Sequence, residues 1–577
     1  MDNQTAIAAA IAAATGLAAD ELKGYLETPP NPAMGDYAFP CFKLAKALRK
    51  APPAIAAELM DKLVLPAGLS RVETAGGYLN FFADKASYAS GVLSRVLSQG
   101  ERYGASEEGK GGHVCIDYSS INIAKPFHIG HLSSTAIGNS LYRIYGFLGY
   151  APVGINHLGD WGTQFGKMIV AFKKWGDEAM LEKGSVRDLV KLYVRFHDEA
   201  EAHPEMNDEA RAWFKKIEDG DAEAIALFER FKAITMREVM RVYDMLDVHF
   251  DSYAGESFYN DKMQPIVEEL REKNLLKLDQ GAQIVDLSAY DMPPCIILRS
   301  DGATLYATRD LATAQYRHDT YAFAKSLYVV AYQQNLHFKQ VFKVLELMGR
   351  DWVKDMEHVN FGMVSITDGT LSTRHGNVVY LEDVLNAAID KTRAVMAEKS
   401  PDLTGEALDE AAKAVGVGAV VWGVLYSARI KDISFSYEKA LNFDGETGPY
   451  VQYTHARCCS VLAKAVQAGL AQSSQDKPYD VASLDYEALS DEAATNVLKA
   501  LDAFPAAICA AAEKNEPYLV ARALMDVCTA YNKFYYDDRI MDAEPNAREA
   551  RLALTDAART VIKTGLYLLG LKAPERM

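Results

Sequence analysis

The chain has 577 residues, of which 49% are hydrophobic and 24% charged, and its formal net charge is −17 at pH 7. A chain of this length predicts roughly three or four domains, each large enough to bury its own core. The composition excludes collagen-like, largely disordered and membrane-embedded classes. The acidic balance disfavours nonspecific binding to DNA or RNA, which depends on surplus lysine and arginine, but it is compatible with a local basic surface for a shaped RNA.

Three further features of the sequence indicate the cellular compartment of the protein. Residues 1–19 are rich in alanine and lack a basic start, which predicts a helix rather than a signal peptide. The longest apolar stretch, 414–428, is interrupted by glycines and is shorter than the roughly 18 residues of a membrane span, so we expect a packed helix. The 7 cysteines show neither CxxC nor Cys/His zinc spacing. We therefore expect a cytoplasmic protein with no structural zinc and no disulfide framework.

The first two regions of the chain differ in pattern. Residues 1–108 combine alanine-rich helices with a strand at 77–82, which predicts an α+β domain. A charged, glycine-rich linker at 107–112 leads into residues 109–380, where apolar strands alternate with helices. This alternation predicts a Rossmann-type, doubly wound parallel sheet. Its strands are expected at 114–118, 151–155, 296–298, 327–330 and 359–361.

Two long helical regions complete the pattern. Residues at about 168–248 are highly charged and helical, which indicates an insertion in the sheet domain. Residues 381–577 are helical with one polar loop at 472–485. The predicted fold class is therefore α/β, with a helical insertion, an N-terminal α+β domain and a C-terminal all-α domain.

The most informative motif, His128-Ile129-Gly130-His131, opens a helix just past the first predicted strand of the sheet. Unpaired backbone N–H groups and the helix dipole favour an anion at such a position, and imidazole N–H donors add hydrogen bonds as charge builds on a phosphate. Gly130 lets a flat base lie against the backbone. The motif predicts a nucleotide-activating site, and the alternative is a chance tetrapeptide with structural histidines.

Several further motifs make the tetrapeptide specific. They occupy residues 35–42, 117–120, 122–126, 156–166, 301–303, 308–311, 371–377, 445–453 and 574–577. In this order they closely resemble arginyl-tRNA synthetase, a family of class I aminoacyl-tRNA synthetases, from end to end. The resemblance implies that residues 1–108 touch the tRNA elbow, that 109–380 form the catalytic domain with inserted helices near the acceptor end, and that 381–577 bind the anticodon.

The resemblance also implies the reaction. The family joins L-arginine to ATP, giving arginyl-adenylate and pyrophosphate, and then transfers arginine to the terminal ribose of tRNA(Arg). Because the first step is an in-line displacement, catalysis is mainly positioning and stabilisation of phosphate charge. The family usually activates arginine only when tRNA is bound. We expect a monomer whose partners are tRNA(Arg), L-arginine and ATP, with Mg²⁺ held mainly by phosphates and water.

By resemblance, the ATP site contains His128, Gly130 and His131. His337 is either a neighbour of the ATP ribose or a satisfied core histidine. A departure from the family lies close by, because Ser133 stands where an arginine is usual. We expect altered contacts around the site at Ser133 rather than lost chemistry.

A second departure concerns the loop that grips pyrophosphate in most class I enzymes. The matching residues, 370–376, contain no lysine. His375 stands where relatives often have lysine, Arg374 is the loop's permanent cation, and Ser372 precedes them. In such relatives a lysine ahead of the helix takes the missing part, and Lys125 occupies that place. The alternative is that Lys125 is merely solvated.

The resemblance assigns the arginine pocket to Asp117, Ser119, Asn122, His157, Tyr306, Asp310 and Gln334. A planar guanidinium is best read by a carboxylate that accepts two parallel hydrogen bonds. Tyr306 and Asp310, one helical turn apart, line the guanidinium pocket with Asp117 close by, while Asn122 and Gln334 hold the α-amino and carboxylate end. As an alternative, Asp310 is a helix N-terminal acid or a partner of Arg309.

The motif at 156–166 supplies further candidates. His157, Gly159, Asp160 and Gln164 complete the adenylate pocket or shape its wall. The alternative is a turn that simply needs glycine and aspartate.

RNA loops are read by bases that stack on aromatic side chains and bond to polar neighbours. By resemblance, Tyr78, Asn80 and Phe82 contact the tRNA elbow, and the anticodon contacts are Tyr453, Arg457, Tyr531 and Met577. For about half of the C-terminal aromatic residues, the helix core is the better interpretation.

Two other functions compete with this one. Small-molecule adenylyltransferases also use a similar helix start, but they are short chains without a long helical C-terminal domain. A synthetase-derived, non-catalytic tRNA-binding or regulatory protein would show a broken motif or a lost arginine pocket, and the sequence shows neither.

Overall fold

The computed structural model describes residues 3–31, 34–366, 379–471 and 479–577. Its contacts divide the chain into two compact units. The first contains Met1–Tyr103, Cys458–Ala503 and Asp526–Val561, and the second contains Gly104–Arg457, Phe504–Met525 and Ile562–Met577. This division distributes the C-terminal helices over both units, whereas the boundaries predicted from the sequence keep them in one domain.

The N-terminal residues of the first unit form a small antiparallel sheet with helices. Its elements are α1 (Asn3–Thr15), α2 (Ala19–Lys23), β1 (Tyr37–Pro40), α3 (Ala45–Leu48), α4 (Pro52–Lys62), β2 (Leu69–Ala75), β3 (Tyr78–Ala83) and α5 (Lys85–Gln99). The sheet order is β1-β3-β2. Ile7, Phe39 and Phe81 lie in its core. Both the predicted N-terminal helix and the predicted strand at 77–82 are confirmed as α1 and β3.

The elements of the catalytic region follow in the second unit. They are β4 (His113–Asp117), α6 (Leu132–Phe147), β5 (Ala151–Ile155), α7 (Gln164–Trp175), α8 (Glu178–Lys183), α9 (Val186–Ala202), α10 (Glu205–Glu218), α11 (Ala222–Leu246), α12 (Met263–Glu272), β6 (Leu276–Asp279), β7 (Ala282–Val285), β8 (Cys295–Leu298), α13 (Tyr306–Tyr321), β9 (Lys325–Tyr328), α14 (Asn335–Leu347), β10 (Met356–His358) and β11 (Val364–Ile366).

Four of these strands form the predicted parallel sheet, in the order β10-β9-β4-β5. Ile116 of β4 pairs with Gly154 on one side and with Leu327 on the other, so β4 is a central strand. The buried residues of β4 run without alternation, as expected for a strand covered on both faces. The carboxyl ends of the four strands therefore share one edge, where an open α/β sheet binds its ligands.

Two predicted strands differ from the structure. Residues 296–298 lie in β8, which belongs to a separate antiparallel sheet with the order β6-β7-β8, so their assignment to the parallel sheet was wrong. A short apolar run indicates burial but does not identify its partner strand. The strand expected at 359–361 instead spans Met356–His358 and ends before Val359, although the N–H of Val359 still donates to the carbonyl of Tyr328 at 2.9 Å.

The insertion is helical, as predicted, and comprises α8 to α11. Its helices carry their own start signals. Ser185 and Asp188 form a reciprocal capping box at the start of α9, which satisfies two backbone N–H groups that the helix itself cannot pair. Asp221 caps α11 in the same way, by accepting from the N–H of Ala224 at 3.0 Å.

The remaining elements are α15 (Leu381–Lys399), α16 (Gly405–Leu425), β12 (Ile433–Phe435), α17 (Tyr437–Ala440), α18 (Gly448–Gln467), α19 (Glu492–Lys514), α20 (Tyr518–Asp537) and α21 (Pro545–Leu568). The apolar stretch at 414–428 falls mostly in α16, whose second half is buried, as predicted. No helix in the described part of the chain is both long and apolar enough to cross a membrane. One strand, β12, was not expected here, and it pairs in parallel with β11.

Candidate active site

The turn between β4 and α6 is strained and tightly held. Ser119, Ser120 and Ala124 have positive φ angles of 67°, 45° and 58°, a conformation that costs roughly 1–3 kcal/mol for each residue other than glycine. Hydrogen bonds fix the turn: the N–H of Ser119 donates to Ser134 Oγ at 2.9 Å, and the N–H of Ala124 donates to Thr235 Oγ1 at 3.0 Å. Such strain persists only where surrounding contacts impose it, and here it precedes His128.

His128 caps a short 3₁₀ turn, Ile129–His131, that leads into α6. Its Nδ1 accepts from the N–H of Gly130 at 3.0 Å. In a neutral ring the proton therefore resides on Nε2, which can donate a hydrogen bond to a phosphate oxygen. The ring of His131 lies 4.0 Å away, centroid to centroid, and its Nδ1 contacts the backbone N and O of His128, each at 3.2 Å.

Both histidines are neutral at pH 7. Burial lowers the pKa of His128, and burial together with the neighbouring His128 lowers the pKa of His131 to about 3. Neutral rings donate hydrogen bonds to phosphate without the cost of a buried charge. A Cβ at position 130 would lie 2.8 Å from His128 Cε1, so a side chain there would displace the imidazole of His128.

The predicted motif at 156–166 packs directly against this turn. The N–H of Gly159 donates to the carbonyl of Ile121 at 2.8 Å, and the N–H of Ile123 donates to the carbonyl of Gly159 at 3.1 Å. A Cβ on Gly159 would lie 2.3 Å from Asn122 Oδ1. The structure therefore brings together Asn122 and Gly159, and the glycine is needed for their close approach.

Asp160, in the same motif, is fully buried, and its carboxylate has three internal hydrogen-bond donors. Its carboxylate accepts from Lys232 Nζ at 2.7 Å, from the N–H of Ser257 at 2.9 Å and from Ser257 Oγ at 2.8 Å. The structural alternative for this residue, a turn that needs aspartate, therefore fits better than a ligand contact. Gln164 begins α7.

Two members of this motif, Asn156 and His157, have a buried polar atom without a hydrogen-bond partner among the described residues. The ring of His157 lies 5.5 Å from that of Tyr259, and its buried atom without such a partner is Nδ1. Burial lowers its pKa, while the negative charge of Asp117 acts in the opposite direction. His157 is therefore neutral and can donate or accept one hydrogen bond towards a ligand.

The helix α13 presents Tyr306 and Asp310 as expected. Tyr306, its first residue, is 68% exposed. One turn on, Asp310 Oδ2 contacts His337 Nε2 at 2.5 Å. His337 was assigned to ATP, but the structure places it on the proposed guanidinium reader. Gln334, in the turn before α14, is exposed and available.

Asp117 and Ser119 have internal partners, which the sequence did not reveal. Asp117 Oδ2 accepts from Arg317 Nη2 at 2.7 Å, and Oδ1 accepts from Ser120 Oγ at 2.7 Å. The buried hydroxyl of Ser119 is shared by Tyr243 and Thr135, at 2.8 and 2.9 Å. Both side chains thus have internal hydrogen-bond partners, and their assignment to the arginine pocket stays a prediction.

Sequence reasoning also missed a pair beside Asp310. Arg309 Nη1 lies 3.6 Å from Glu256 Oε2, and both side chains are largely buried. Burial raises the pKa of Glu256 to about 7, and Arg309 opposes that rise. Because 53 positions separate the two residues, no local motif could have indicated this contact.

Lys125, Ser133 and three loop residues are the remaining candidates near the ATP site. Lys125 is exposed, so its ammonium is accessible from solvent. Ser133 is buried, and its Oγ has no hydrogen-bond partner among the described residues. Ser372, Arg374 and His375 lie outside the described residues.

The elbow candidates lie in the first unit. Asn80 and Phe82 are 5% and 9% exposed, and the guanidinium of Arg71 lies 3.6 Å above the ring of Phe82. Tyr78 meets Phe42 edge-on at 5.7 Å. Phe82, Arg71 and Lys85 line a cavity of about 390 Å³. Because Asn80 and Phe82 are nearly covered, only a small part of either is available to RNA.

The anticodon candidates differ in exposure. Tyr453 is 40% exposed, with the guanidinium of Arg457 at 4.9 Å from its ring, so this pair can stack on a base. Tyr531 is fully buried, which contradicts its assignment as a base-stacking contact. Met577 packs on a small cluster that includes Met396, and its carbonyl accepts from Ser400 Oγ at 3.1 Å.

Comparison with known proteins agrees with this geometry. Residues 92–437 match the family described as tRNA synthetases class I (R), catalytic domain; residues 451–577 match the DALR anticodon binding domain; and residues 2–83 match the arginyl tRNA synthetase N terminal domain. The chain therefore belongs to the class I tRNA synthetases.

Individual relatives identify the family within class I. An arginine–tRNA ligase of Clostridioides difficile (strain 630) is 54% identical over 562 residues, which cover 97% of each chain. The corresponding ligase of Alkaliphilus metalliredigens is 52% identical over 565 residues, again 97% of each chain. The solved arginyl-tRNA synthetase of Thermus thermophilus superposes with a TM-score of 0.78 at 26% identity and covers 100% of both chains. Within class I, the chain is thus a member of the arginyl-tRNA synthetase family.

Proposed function

We propose that this protein is an arginine–tRNA ligase that activates L-arginine with ATP and transfers the arginyl group to the terminal ribose of tRNA(Arg). One observation carries the proposal: the imidazole of His128 and the carboxylate of Asp310 belong to the same edge of one parallel sheet. α6 follows the carboxyl end of β4, and α14 follows that of β9. α13 runs back to the start of β9, so its first turns lie at this edge too.

The first step needs no covalent attachment to the protein. The carboxylate of arginine attacks the α-phosphorus of ATP, and pyrophosphate leaves in line. His128 Nε2–H donates to a phosphate oxygen, and this bond strengthens as negative charge grows in the transition state. Lys125 and Arg374 share the charge of the departing pyrophosphate.

Magnesium enters this proposal with the ATP. Among the described residues there is no group of three or more His, Cys, Asp or Glu side chains that could hold a metal ion. Mg²⁺ is a hard cation that commonly keeps several waters and binds substrate phosphates. We assign its ligands to the phosphates, water and at most a few protein oxygens.

Asp310 selects arginine by charge and geometry. The guanidinium fork donates to its carboxylate, with Tyr306 beside it, while Asn122 and Gln334 hold the amino-acid end. Lysine presents a point charge in place of a planar fork, and citrulline has no charge. Either would leave the carboxylate imperfectly paired in a half-buried site, which a site built on hydrogen bonds penalises strongly.

The exposure of candidate side chains supports the proposed tRNA contacts. Tyr453 and Arg457 present a ring and a cation for an anticodon base, and the cavity beside Phe82 is available to the elbow. We also propose that tRNA binding precedes activation, and that the enzyme works as a cytoplasmic monomer.

Arginine-dependent exchange of pyrophosphate into ATP tests the proposal directly. We expect exchange that requires arginine, is not supported by lysine or citrulline, and increases when tRNA(Arg) is added. Absence of exchange both with and without tRNA would overturn the enzymatic proposal in favour of a non-catalytic tRNA-binding protein.

A further inference from the structure

The turn before α14 and the first turn of that helix carry two residues of the proposed arginine site. Gln334 ends the 3₁₀ turn Tyr332–Gln334, and His337 contacts Asp310. At the N-cap position of α14, the side chain of Gln334 makes no capping hydrogen bond with any residue that the structure describes. A cap typically contributes about 1 kcal/mol to a helix start, so the position of this one depends on contacts from elsewhere in the chain.

The segment between β10 and β11 supplies those contacts. Asn360 Nδ2 donates to Oδ1 of Asn335, the first residue of α14, at 2.9 Å. The carbonyl of the next residue, Phe361, accepts from the N–H of Tyr332 at 3.0 Å. Two neighbouring residues of the segment therefore hold the turn that carries Gln334 from both sides.

Arg429, which follows α16, holds this segment in turn. Its Nη1 donates to Oδ1 of Asn360 at 2.6 Å and also to the carbonyl of the same residue. Its own carbonyl accepts from the N–H of Gly362 at 2.8 Å. Hydrogen bonds from a charged donor are roughly twice as strong as those between neutral groups. Arg429 thus binds the segment through both its side chain and its backbone.

Two carboxylates fix the guanidinium of Arg429. Glu516 Oε1 lies 3.6 Å from Nε, and Glu516 Oε2 accepts from the backbone N–H of Arg429 at 3.2 Å. Glu357 Oε1 lies 3.9 Å from Nη2. The side chains of Arg429 and Glu516 are only 15% and 18% exposed, so water screens this pair weakly. Because the carboxylates already balance the charge of Arg429, its bonds to Asn360 are not needed for neutralisation.

Resting on the function proposed above, we infer that Arg429 is a positioning residue for the arginine site. Through Asn360 it fixes the turn that carries Gln334 and the first turn of α14, which carries His337. Gln334 is proposed to hold the amino-acid end of arginine, and His337 contacts the carboxylate proposed to bind the guanidinium. Release of this region therefore weakens both ends of the arginine site, whereas the turn that leads to His128 keeps its own hydrogen bonds.

Arg429→Met, Asn360→Ala and their double variant test this inference. Arginine-dependent ATP–pyrophosphate exchange with saturating tRNA(Arg) gives the KM values of arginine and of ATP, and thermal unfolding gives the stability. Each single variant should raise the KM of arginine about tenfold and leave the KM of ATP within about twofold. Because both residues act through the same contacts, the double variant should show about the same tenfold rise, whereas independent sites would give about a hundredfold rise.

Arg551→Met is the matched control. Arg551 belongs to α21 and is buried to a similar degree, with Nη2 3.0 Å from Asp538 Oδ1 and Nη1 donating to the carbonyl of Arg539 at 3.2 Å. Its replacement should lower the unfolding temperature and leave both KM values within about twofold of the wild type. A tenfold rise in the KM of arginine in this variant would show that any loss of stability has that effect, and it would overturn the inference.

Each outcome with the test variants decides the inference. An unchanged KM of arginine, equal rises in the two KM values, or an additive double variant would overturn it. If Arg429→Met does not fold, Asn360→Ala and Asn335→Ala decide, because they remove the two ends of one uncharged hydrogen bond. We then expect about a tenfold rise in each and no further rise when they are combined, and an unchanged KM of arginine would overturn the inference. Absence of exchange in the wild type would instead overturn the proposed function.

Discussion

The turn that carries His128 and the pocket that carries Asp310 lie at one edge of the same sheet, but they are built differently. In the turn, His128 bonds to Gly130 and His131, two and three positions away. In the pocket, Asp310 contacts a residue 27 positions away, and Asp117 contacts one 200 positions away. The contacts of His128 itself, in the ATP half of the site, are thus local in sequence, although distant residues such as Thr235 hold the turn before it. The contacts of Asp310 and Asp117, in the arginine half, form only when distant elements have packed. Specificity therefore depends on tertiary structure more than phosphate binding does.

The largest expected effect tests the arginine half. Asp310→Asn removes the negative charge that faces the guanidinium, so kcat/KM for arginine should fall about 10³-fold, or about 4 kcal/mol, while the KM of ATP changes little. An arginine titration by ATP–pyrophosphate exchange measures this. Asp319→Asn, an exposed position on the same helix, is the control. An unchanged arginine titration for Asp310→Asn would remove this residue from the pocket.

The next effect tests the ATP half. His128→Ala removes one donor to the phosphates, so kcat should fall about 10²-fold with a smaller change in the KM of arginine. Single-turnover formation of the adenylate measures the chemical step. His113→Ala, at the exposed start of β4, should behave like the wild type. If His128→Ala changed the KM of arginine more than kcat, the separation into two halves would be wrong.

A smaller effect is expected for Lys125→Ala. The ammonium is exposed, and water weakens its attraction to pyrophosphate. Its loss should therefore lower the rate of adenylate formation only about tenfold, or about 1.4 kcal/mol. Lys354→Ala, an exposed lysine after α14, provides the comparison. A rate within about twofold of the wild type would show that Lys125 is merely solvated.

The last prediction concerns the pH dependence of stability and not the rate of the reaction. The folded pKa of His131 is about 3, below the value of about 6.5 expected in the unfolded chain. Between these values the unfolded state binds more protons, so the free energy of unfolding rises with pH in this window and is lost as pH falls. The urea midpoint of the wild type should therefore decrease more between pH 7 and pH 5 than that of His131→Asn. Parallel decreases in the two proteins would contradict a neutral, buried His131.

The sequence predicted local features of the molecule better than contacts between distant residues. The central strand, the helix start at His128 and the buried α16 were predicted because each has a local pattern of apolar spacing or glycine. The sheet that contains β8 was not, because an apolar run of four residues does not specify its neighbour. Tyr453 and Tyr531 show the limit for side chains: both are tyrosines of C-terminal helices, but only packing makes one exposed and the other buried.

The site shows this limit again. The resemblance assigns Asp117 to the arginine pocket, and the structure adds that its carboxylate bonds to Arg317. Complementary charges that meet across 200 positions leave no periodic signal in one sequence. The sequence predicts which residues belong to the site, but it does not predict which of them form hydrogen bonds with one another.

The pairing of β11 with β12 bears on how this chain can be divided. Val364 pairs with Ile433 and Ile366 with Phe435, so a fragment ending at residue 380 would lose the partner of β11. The exposed strand edge would then offer unpaired N–H and C=O groups to other copies, a common route to aggregation. An excised catalytic fragment therefore needs residues through β12 to remain monodisperse, which places the workable cut beyond Phe435.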